Sequence, residues 1–342
     1  MRAVVYYDVN DFRVEDIPAP KIGPDEILVR VRACGICTTD LFKGQYHRAK
    51  PGSVFGHEIS GDVAEVGTDV IRFNVGDRVA VLHHAPCGSC YYCLHGQEPL
   101  CDQYRRTNVD PGGFAEYIRV RPELVQKVVI KIPDDMAYEE ATMVEPTACA
   151  YRSVSKCRVT PGDTVVVIGG GPLGLLNAQV AKCLGTTQVI VSDHHDFRIK
   201  MAKGLGIDYA FNAKKVNVDA KVKELTGGRG ADLVIVAVAS TKAVHQGIQM
   251  VRWGGKICLF GDFRDVPQPN LEVDPKLMLR DDVTLLGSWG CGPRDYYAAY
   301  NLIRAGRIRA KDMVTHVFPI EQFTEALKVM AEKQCIRVVI RM

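Results

Sequence analysis

Apolar and polar residues alternate over residues 1–33. In residues 25–33, DEILVRVRA, the side chains of Ile27, Val29 and Val31 fall on one face of a strand. Pro18, Pro20, Gly23 and Pro24 mark the turns before it. Strand patterning returns over residues 68–82, where Gly76 and Asp77 turn the chain into RVAVL, and again from Gly112 to about Pro133. The pattern then lengthens, and residues 135–157 read as helix.

From Thr160 the character changes. The apolar run TVVVI predicts a buried strand, a glycine-rich turn follows, and Leu175, Leu176, Ala178, Val180 and Ala181 predict a helix. QVIVSD is the next strand. Helix around residues 197–205, strand at Tyr209, helix VDAKVKELTGG and strand ADLVIVAVA follow. KAVHQGIQMVRWGG reads as a helix stopped by glycine, with KICLFGD and VTLLGSW as the last strands. Strands alternating with helices mean an α/β, doubly wound parallel sheet. The segment after Pro293 adds a helix, a strand, a helix and a final strand, RVVIRM.

The 342 residues suffice for two domains. Apolar content of 47% and charged content of 24% suit a globular protein, and a net charge of +3 offers no argument for nucleic acid or membrane binding. MRAVVYYDVN lacks a signal-peptide run, and no apolar stretch of about 18 residues predicts a membrane span. We expect a cytoplasmic protein. Disulfides are then disfavoured, so clusters among the 12 cysteines point to metal or catalysis.

Three clusters carry chemistry. His57 and Glu58 sit between glycines in GHEISG; imidazole and carboxylate both suit zinc, and Gly56 permits the turn that would aim neighbours at one ion. The alternative is a polar loop between strands. Cys34 and Cys37 form C-x-x-C at a strand end. This is either a redox dithiol or the source of one thiolate for the His57–Glu58 site, with Cys37, nearer the helix start, as the ligand. Cys87, Cys90, Cys93 and Cys101 match a closed all-cysteine zinc site; an iron–sulfur cluster is the rival. His83, His84 and His95 nearby read as surface residues. Glu145, before Pro146 in an apolar stretch, reads as a surface acid or as a carboxylate partnered by a metal.

Gly169, Gly171, Pro172, Leu173 and Gly174 form the dinucleotide fingerprint between strand and helix, and Asp193 ends the following strand. The glycines admit the pyrophosphate to the helix N-terminus. Asp193 suits ribose hydroxyls and repels a 2′-phosphate, favouring NAD; Arg198 is the residue that would help admit NADP.

GICTTD, GHEISGDVAEVG, the four-cysteine lobe, the Glu145-Pro146 dipeptide and VIGGGPLG together resemble the zinc-dependent medium-chain dehydrogenase/reductase family, over nearly the whole chain. The resemblance implies a β-rich, GroES-like catalytic domain (1–148 and 289–342, with a zinc lobe at about 83–105) and a Rossmann NAD-binding domain (149–288). It implies two zinc ions per chain. Cys37, His57 and Glu58 would hold the catalytic one, with Glu145 ligating directly or through water, and the four cysteines would hold a structural one. Glu58 combined with Glu145-Pro146 resembles the sorbitol, polyol and threonine dehydrogenases, where ordinary alcohol dehydrogenases carry cysteine at the position of Glu145. The implied activity is hydride transfer between NAD and a secondary alcohol, most simply a polyol. A simple alcohol dehydrogenase, an L-threonine 3-dehydrogenase and a non-catalytic zinc- and NAD-binding protein are the alternatives. Thr39 matches the hydroxyl that takes the substrate proton. Phe42 departs from the family's relay histidine, leaving waters, the cofactor ribose or Lys43 for proton exit. A homodimer or homotetramer is expected.

Overall fold

The computed structural model describes residues 1–263 and 270–342. Two compact units divide the chain. One comprises Met1–Glu145, Cys291–Tyr300 and Ala310–Met342; the other comprises Pro146–Gly290 and Asn301–Arg309. Relative to the expected boundaries, Asn301–Arg309 goes with the second unit. The Arg309 N–H donates to Gln179 Oε1 at 2.8 Å, and Cys183 Sγ meets the Arg307 carbonyl at 3.5 Å.

The first unit is built on a seven-stranded sheet. Its order is Val314–Pro319, Arg337–Arg341, Ile27–Gly35, Glu58–Val66, Arg78–Leu82 and Val129–Lys131, with Tyr117–Val120 also pairing with Ile27–Gly35. The first two strands run parallel and the other pairs antiparallel. Ile27, Val29 and Val31 are all buried, as the alternation predicts. A smaller sheet joins Asp11–Asp16, Arg2–Asp8 and Ser53–Val54. Tyr6, Phe12, Phe55, Phe114 and Phe323 pack with ring centroids 4.9–5.5 Å apart, and so anchor the loop that leads into His57.

The second unit holds a six-stranded parallel sheet in the order Tyr209–Asn212, Gln188–Asp193, Thr164–Ile168, Ala231–Val236, Val251–Leu259, Thr284–Gly287. Val165, Val166 and Val167 are fully buried, because helices cover both faces of such a sheet and its strands read as apolar runs.

Two predicted elements differ. The helix expected over 135–157 is two helices, Tyr138–Ala141 and Val144–Lys156. The helix expected to run to the glycines after Trp253 ends at Met250. Val251 instead pairs with Ala231 and opens the strand Val251–Leu259. Its β-branched side chain suits the ladder, and pairing with a neighbour outweighs the local helical period. No helix among the described residues is long and apolar enough to cross a membrane.

Candidate functional site

Strand register brings the first site together. Gly35 lies opposite Glu58 in the antiparallel pair. Cys37 caps the helix Thr38–Gln45 just beyond one strand end, and His57 precedes the other strand. Ligand atoms of Cys37, His57 and Glu58 all lie within 4.8 Å of one another. Gly56 makes the turn between Phe55 and His57 at φ +92°, and a Cβ there would sit 2.8 Å from the Phe114 nitrogen.

Asp40 organises two of these residues. It is 1% exposed, accepts the Cys37 N–H at 3.0 Å, and faces His57 Nδ1 at 3.4 Å. The first bond closes a capping box on the helix; the second fixes the imidazole orientation. Burial opposes every charge here, but the groups compensate one another. Asp40 and then Cys37 push His57 well above its ordinary value, while His57 holds the Cys37 thiol and the Asp40 carboxyl below theirs. The pocket therefore favours a thiolate beside a positive centre, the state a zinc ligand needs. Cys34, fully buried, is pushed up by burial and suits a packed thiol.

Glu58 is 0% exposed and pairs with Arg337, itself 4% exposed. Gly35 carries no side chain in the space the two groups fill. Glu58 Oε1 has no hydrogen-bond partner, and one oxygen of this carboxylate lies within 4.8 Å of the Cys37 and His57 ligand atoms. Orphaned buried oxygen, thiolate and imidazole form a donor set that fits zinc. Sequence reasoning misses Arg337 and Asp40 as site residues. Asp40 carried a signal, a carboxylate three residues after Cys37; Arg337 carried none.

Glu145 lies in the first turn of Val144–Lys156 and is not within 4.8 Å of all three of those ligand atoms. It stands within that distance of Cys291. Tyr296, fully buried beside them, has its hydroxyl pushed well up by burial and then by Cys291 and Glu145. Thr39 is half-buried in the first turn of the Cys37-capped helix. Phe42 meets Tyr46 at 6.1 Å, and Lys43 Nζ lies 5.8 Å above the Phe55 ring. His83 and His84 are not surface residues: His83 meets the His57 ring at 4.8 Å, and His84 meets His83 at 3.9 Å. The strand Arg78–Leu82 leaves them half-buried beside His57, which periodicity past a strand end could not show. Burial lowers both, His84 to about 4. His95 is exposed.

The sulfurs of Cys87, Cys90, Cys93 and Cys101 converge. Cys87 and Cys90 stand 3.9 and 3.5 Å from Cys93. Four thiolates about 2.3 Å from one tetrahedral ion would lie about 3.8 Å apart, so the spacing fits a single zinc. Main-chain N–H groups of Ser89 and Cys90 bring Cys87 down to about 6, while burial and the crowding sulfurs push Cys93 up to about 12. A cation at the centre would relieve that crowding. Lys127 Nζ ties the lobe down through the Pro86 and Cys87 carbonyls at 2.7 and 2.9 Å.

In the second unit, strand Thr164–Ile168 leads through Gly169, Gly170 and Gly171 into the helix Pro172–Cys183, with Leu173 and Gly174 in its first turn. Gly169 has φ +107°, and a Cβ would sit 2.6 Å from Val238 Cγ1. The loop is thus built to present backbone N–H groups at a helix N-terminus. Asp193 ends the neighbouring strand and accepts the Gly170 N–H at 2.8 Å; Arg198 Nη1 reaches it at 3.3 Å. Burial raises the Asp193 carboxyl, but His195, Arg198 and main-chain donors outweigh this and hold it below its ordinary value.

Residues 23–134 match the family described as alcohol dehydrogenase GroES-like domain, and residues 172–305 that described as zinc-binding dehydrogenase. A sorbitol dehydrogenase of Halalkalibacterium halodurans is 34% identical, with 99% of each chain covered. An L-threonine 3-dehydrogenase of Pyrococcus abyssi is 35% identical over 92% of this chain and 90% of its own. The solved structure of an alcohol dehydrogenase from Thermus sp. ATN1 superposes with TM-score 0.88 at 30% identity, covering 100% of this chain and 99% of that one.

Proposed function

The chain belongs to the zinc-dependent medium-chain dehydrogenase/reductase family, in its polyol and threonine dehydrogenase branch, and from that premise we propose the roles of its individual residues. It is an oxidoreductase that uses zinc and a nicotinamide cofactor on a small-molecule alcohol. The reading supported best is oxidation of a secondary hydroxyl of a polyol or sugar alcohol. The convergence of Cys37, His57 and Glu58 on one point carries it. L-threonine 3-dehydrogenase is the second reading, favoured by the Pyrococcus relative.

Cys37 and His57 would hold the catalytic metal, with Asp40 fixing the imidazole and Glu58 offering its free oxygen. Glu145 would act directly or through water. When bound, zinc supplies the Lewis acidity that makes an alcohol acidic near neutral pH, and the nicotinamide supplies the hydride acceptor. Thr39 would take the substrate proton. Phe42 cannot pass it on, so exit runs through water, the cofactor ribose or Lys43. Cys87, Cys90, Cys93 and Cys101 would hold a second, structural zinc, making two per chain. Asp193 favours NAD over NADP. We also infer a homodimer or homotetramer, which light scattering checks.

The test is NADH absorbance with sorbitol, arabinitol, erythritol, L-threonine and ethanol. The expected order places a polyol first by kcat/KM. A preference for L-threonine selects the second reading. A preference for ethanol, or no turnover with any of them, overturns both readings, and the last result would leave a non-catalytic zinc and dinucleotide binder.

A further inference from the structure

Asp193 is more fully engaged than a ribose-binding carboxylate should be. Its Oδ1 lies 2.9 Å from the His195 main-chain nitrogen and 2.8 Å from His195 Nδ1. Its Oδ2 accepts from the Gly170 N–H at 2.8 Å and from Arg198 Nη1 at 3.3 Å. A carboxylate offers about four lone-pair positions, and four donors fill them. A ribose hydroxyl can bond this group only if a side chain leaves it.

The two main-chain donors are fixed by the strand end and the glycine loop. Of the two side chains, Arg198 is 15% exposed and His195 39% exposed. The imidazole is therefore the partner free to swing into water. The charged groups on the surrounding elements are Arg198; Asp196 and Lys215, which pair at 2.7 Å; Lys200 and Lys203 on the same helix; Lys214 on the loop after Asn212; and the exposed His194. The glycine loop carries none. With the imidazole neutral, Asp193 and Arg198 cancel. With it protonated, the trio carries one positive charge.

We propose that His195 is a specificity-determining residue for the cofactor: its ring competes with the ribose hydroxyls of NAD for Asp193, and its protonated form turns the site toward a 2′-phosphate. The inference rests on the reading above that this glycine loop and Asp193 hold the adenosine end of a nicotinamide cofactor. An imidazolium–carboxylate bond is stronger than the neutral one, so acid strengthens the competitor. The same proton adds attraction for a phosphate, which keeps at least one negative charge throughout the range in which an imidazole titrates. Acid adds a proton to an imidazole and base removes it, so the advantage of NAD should be largest in base and should shrink toward acid.

The test is isothermal titration calorimetry of the intact enzyme with NAD and with NADP from pH 5.5 to 8.5, on wild type, H195A, H195Q and H194A. In wild type, the ratio of the NADP Kd to the NAD Kd should fall at least about fivefold between pH 8 and pH 5.5, in keeping with the roughly doubled strength of a charge-assisted bond. A phosphate monoester itself gains a proton near pH 6, so the readout is the difference between wild type and H195A. H195A should flatten the wild-type slope and bind NAD more tightly than wild type at pH 5.5. H195Q, a donor without charge, should flatten the slope as well, and H194A should keep it. Superimposable wild-type and H195A curves, or weaker NAD binding by H195A at pH 5.5, would overturn the inference while NAD preference stands. Wild type that binds neither dinucleotide would overturn the cofactor reading together with it.

Discussion

Replacing Arg337 by leucine removes the counter-charge from Glu58 and keeps much of the volume. Glu58 is 0% and Arg337 4% exposed, so solvent cannot replace the lost guanidinium. Breaking one side of a buried ion pair costs about 3–5 kcal/mol, because the remaining charge is left uncompensated. In a unit of this size each kcal/mol moves the melting point by about 2–4 °C, so Tm should fall by about 10 °C. The loss should depend on pH. An unpaired buried carboxyl has its folded-state value raised above the unfolded value near 4.3. The stability it permits is then complete below that unfolded value and is lost as pH rises through the raised one. R337L should therefore lie closest to wild type near pH 4 and furthest below it near pH 7. Calorimetric and urea unfolding across that range, on chelated protein so that no metal stands in for the arginine, gives the answer. A loss below about 1 kcal/mol at pH 7, or one that does not shrink in acid, would refute the idea that Arg337 is what makes a buried Glu58 tolerable.

Asp40→Asn should keep the hydrogen bond to the Cys37 N–H but weaken metal binding at Cys37 and His57 about 10–100-fold, as loss of an orienting carboxylate typically does; competitive zinc titration measures it, and unchanged affinity would remove Asp40 from the site. Cys93→Ser should lower Tm or solubility more than it slows the chemical step, and a variant of full stability that lost only turnover would show that the lobe is not structural. Stepwise chelation should strip the centre containing oxygen ligands before the all-thiolate lobe, with activity falling while circular dichroism holds; full activity at one zinc per chain would contradict this. Glu145→Ala should cut turnover strongly and leave NAD affinity nearly unchanged, and an unaltered kcat would remove Glu145 from the chemistry.

Much of this protein was legible in the order of its residues. Local signals marked the parallel strands of the second unit as apolar runs, because both faces of that sheet are covered. Spacing alone assembled Cys87, Cys90, Cys93 and Cys101, since a short loop can close on one ion without help from elsewhere. The glycine turn at Gly169 and the acid ending the next strand were equally local. Where the structure departed from local signals, long-range pairing was the reason. Val251 followed Ala231 into the sheet against its helical period, and His83 and His84 were left half-buried beside His57 by the strand before them.

The electrostatics of the candidate metal centre were decided by tertiary structure. Cys37, His57 and Glu58 meet because Gly35 is in register with Glu58. Arg337 reaches that point because the last strand of the chain pairs with the same strand, Val339 opposite Gly35. Nothing near Arg337 in sequence distinguishes it from an exposed arginine at the start of a strand. The partner of a buried charge is selected by register across a sheet, and register is a property of the whole fold. The same holds for Asp193: the acid was visible in the sequence, but that its four lone-pair positions are occupied became visible only when the glycine loop, His195 and Arg198 were placed around it.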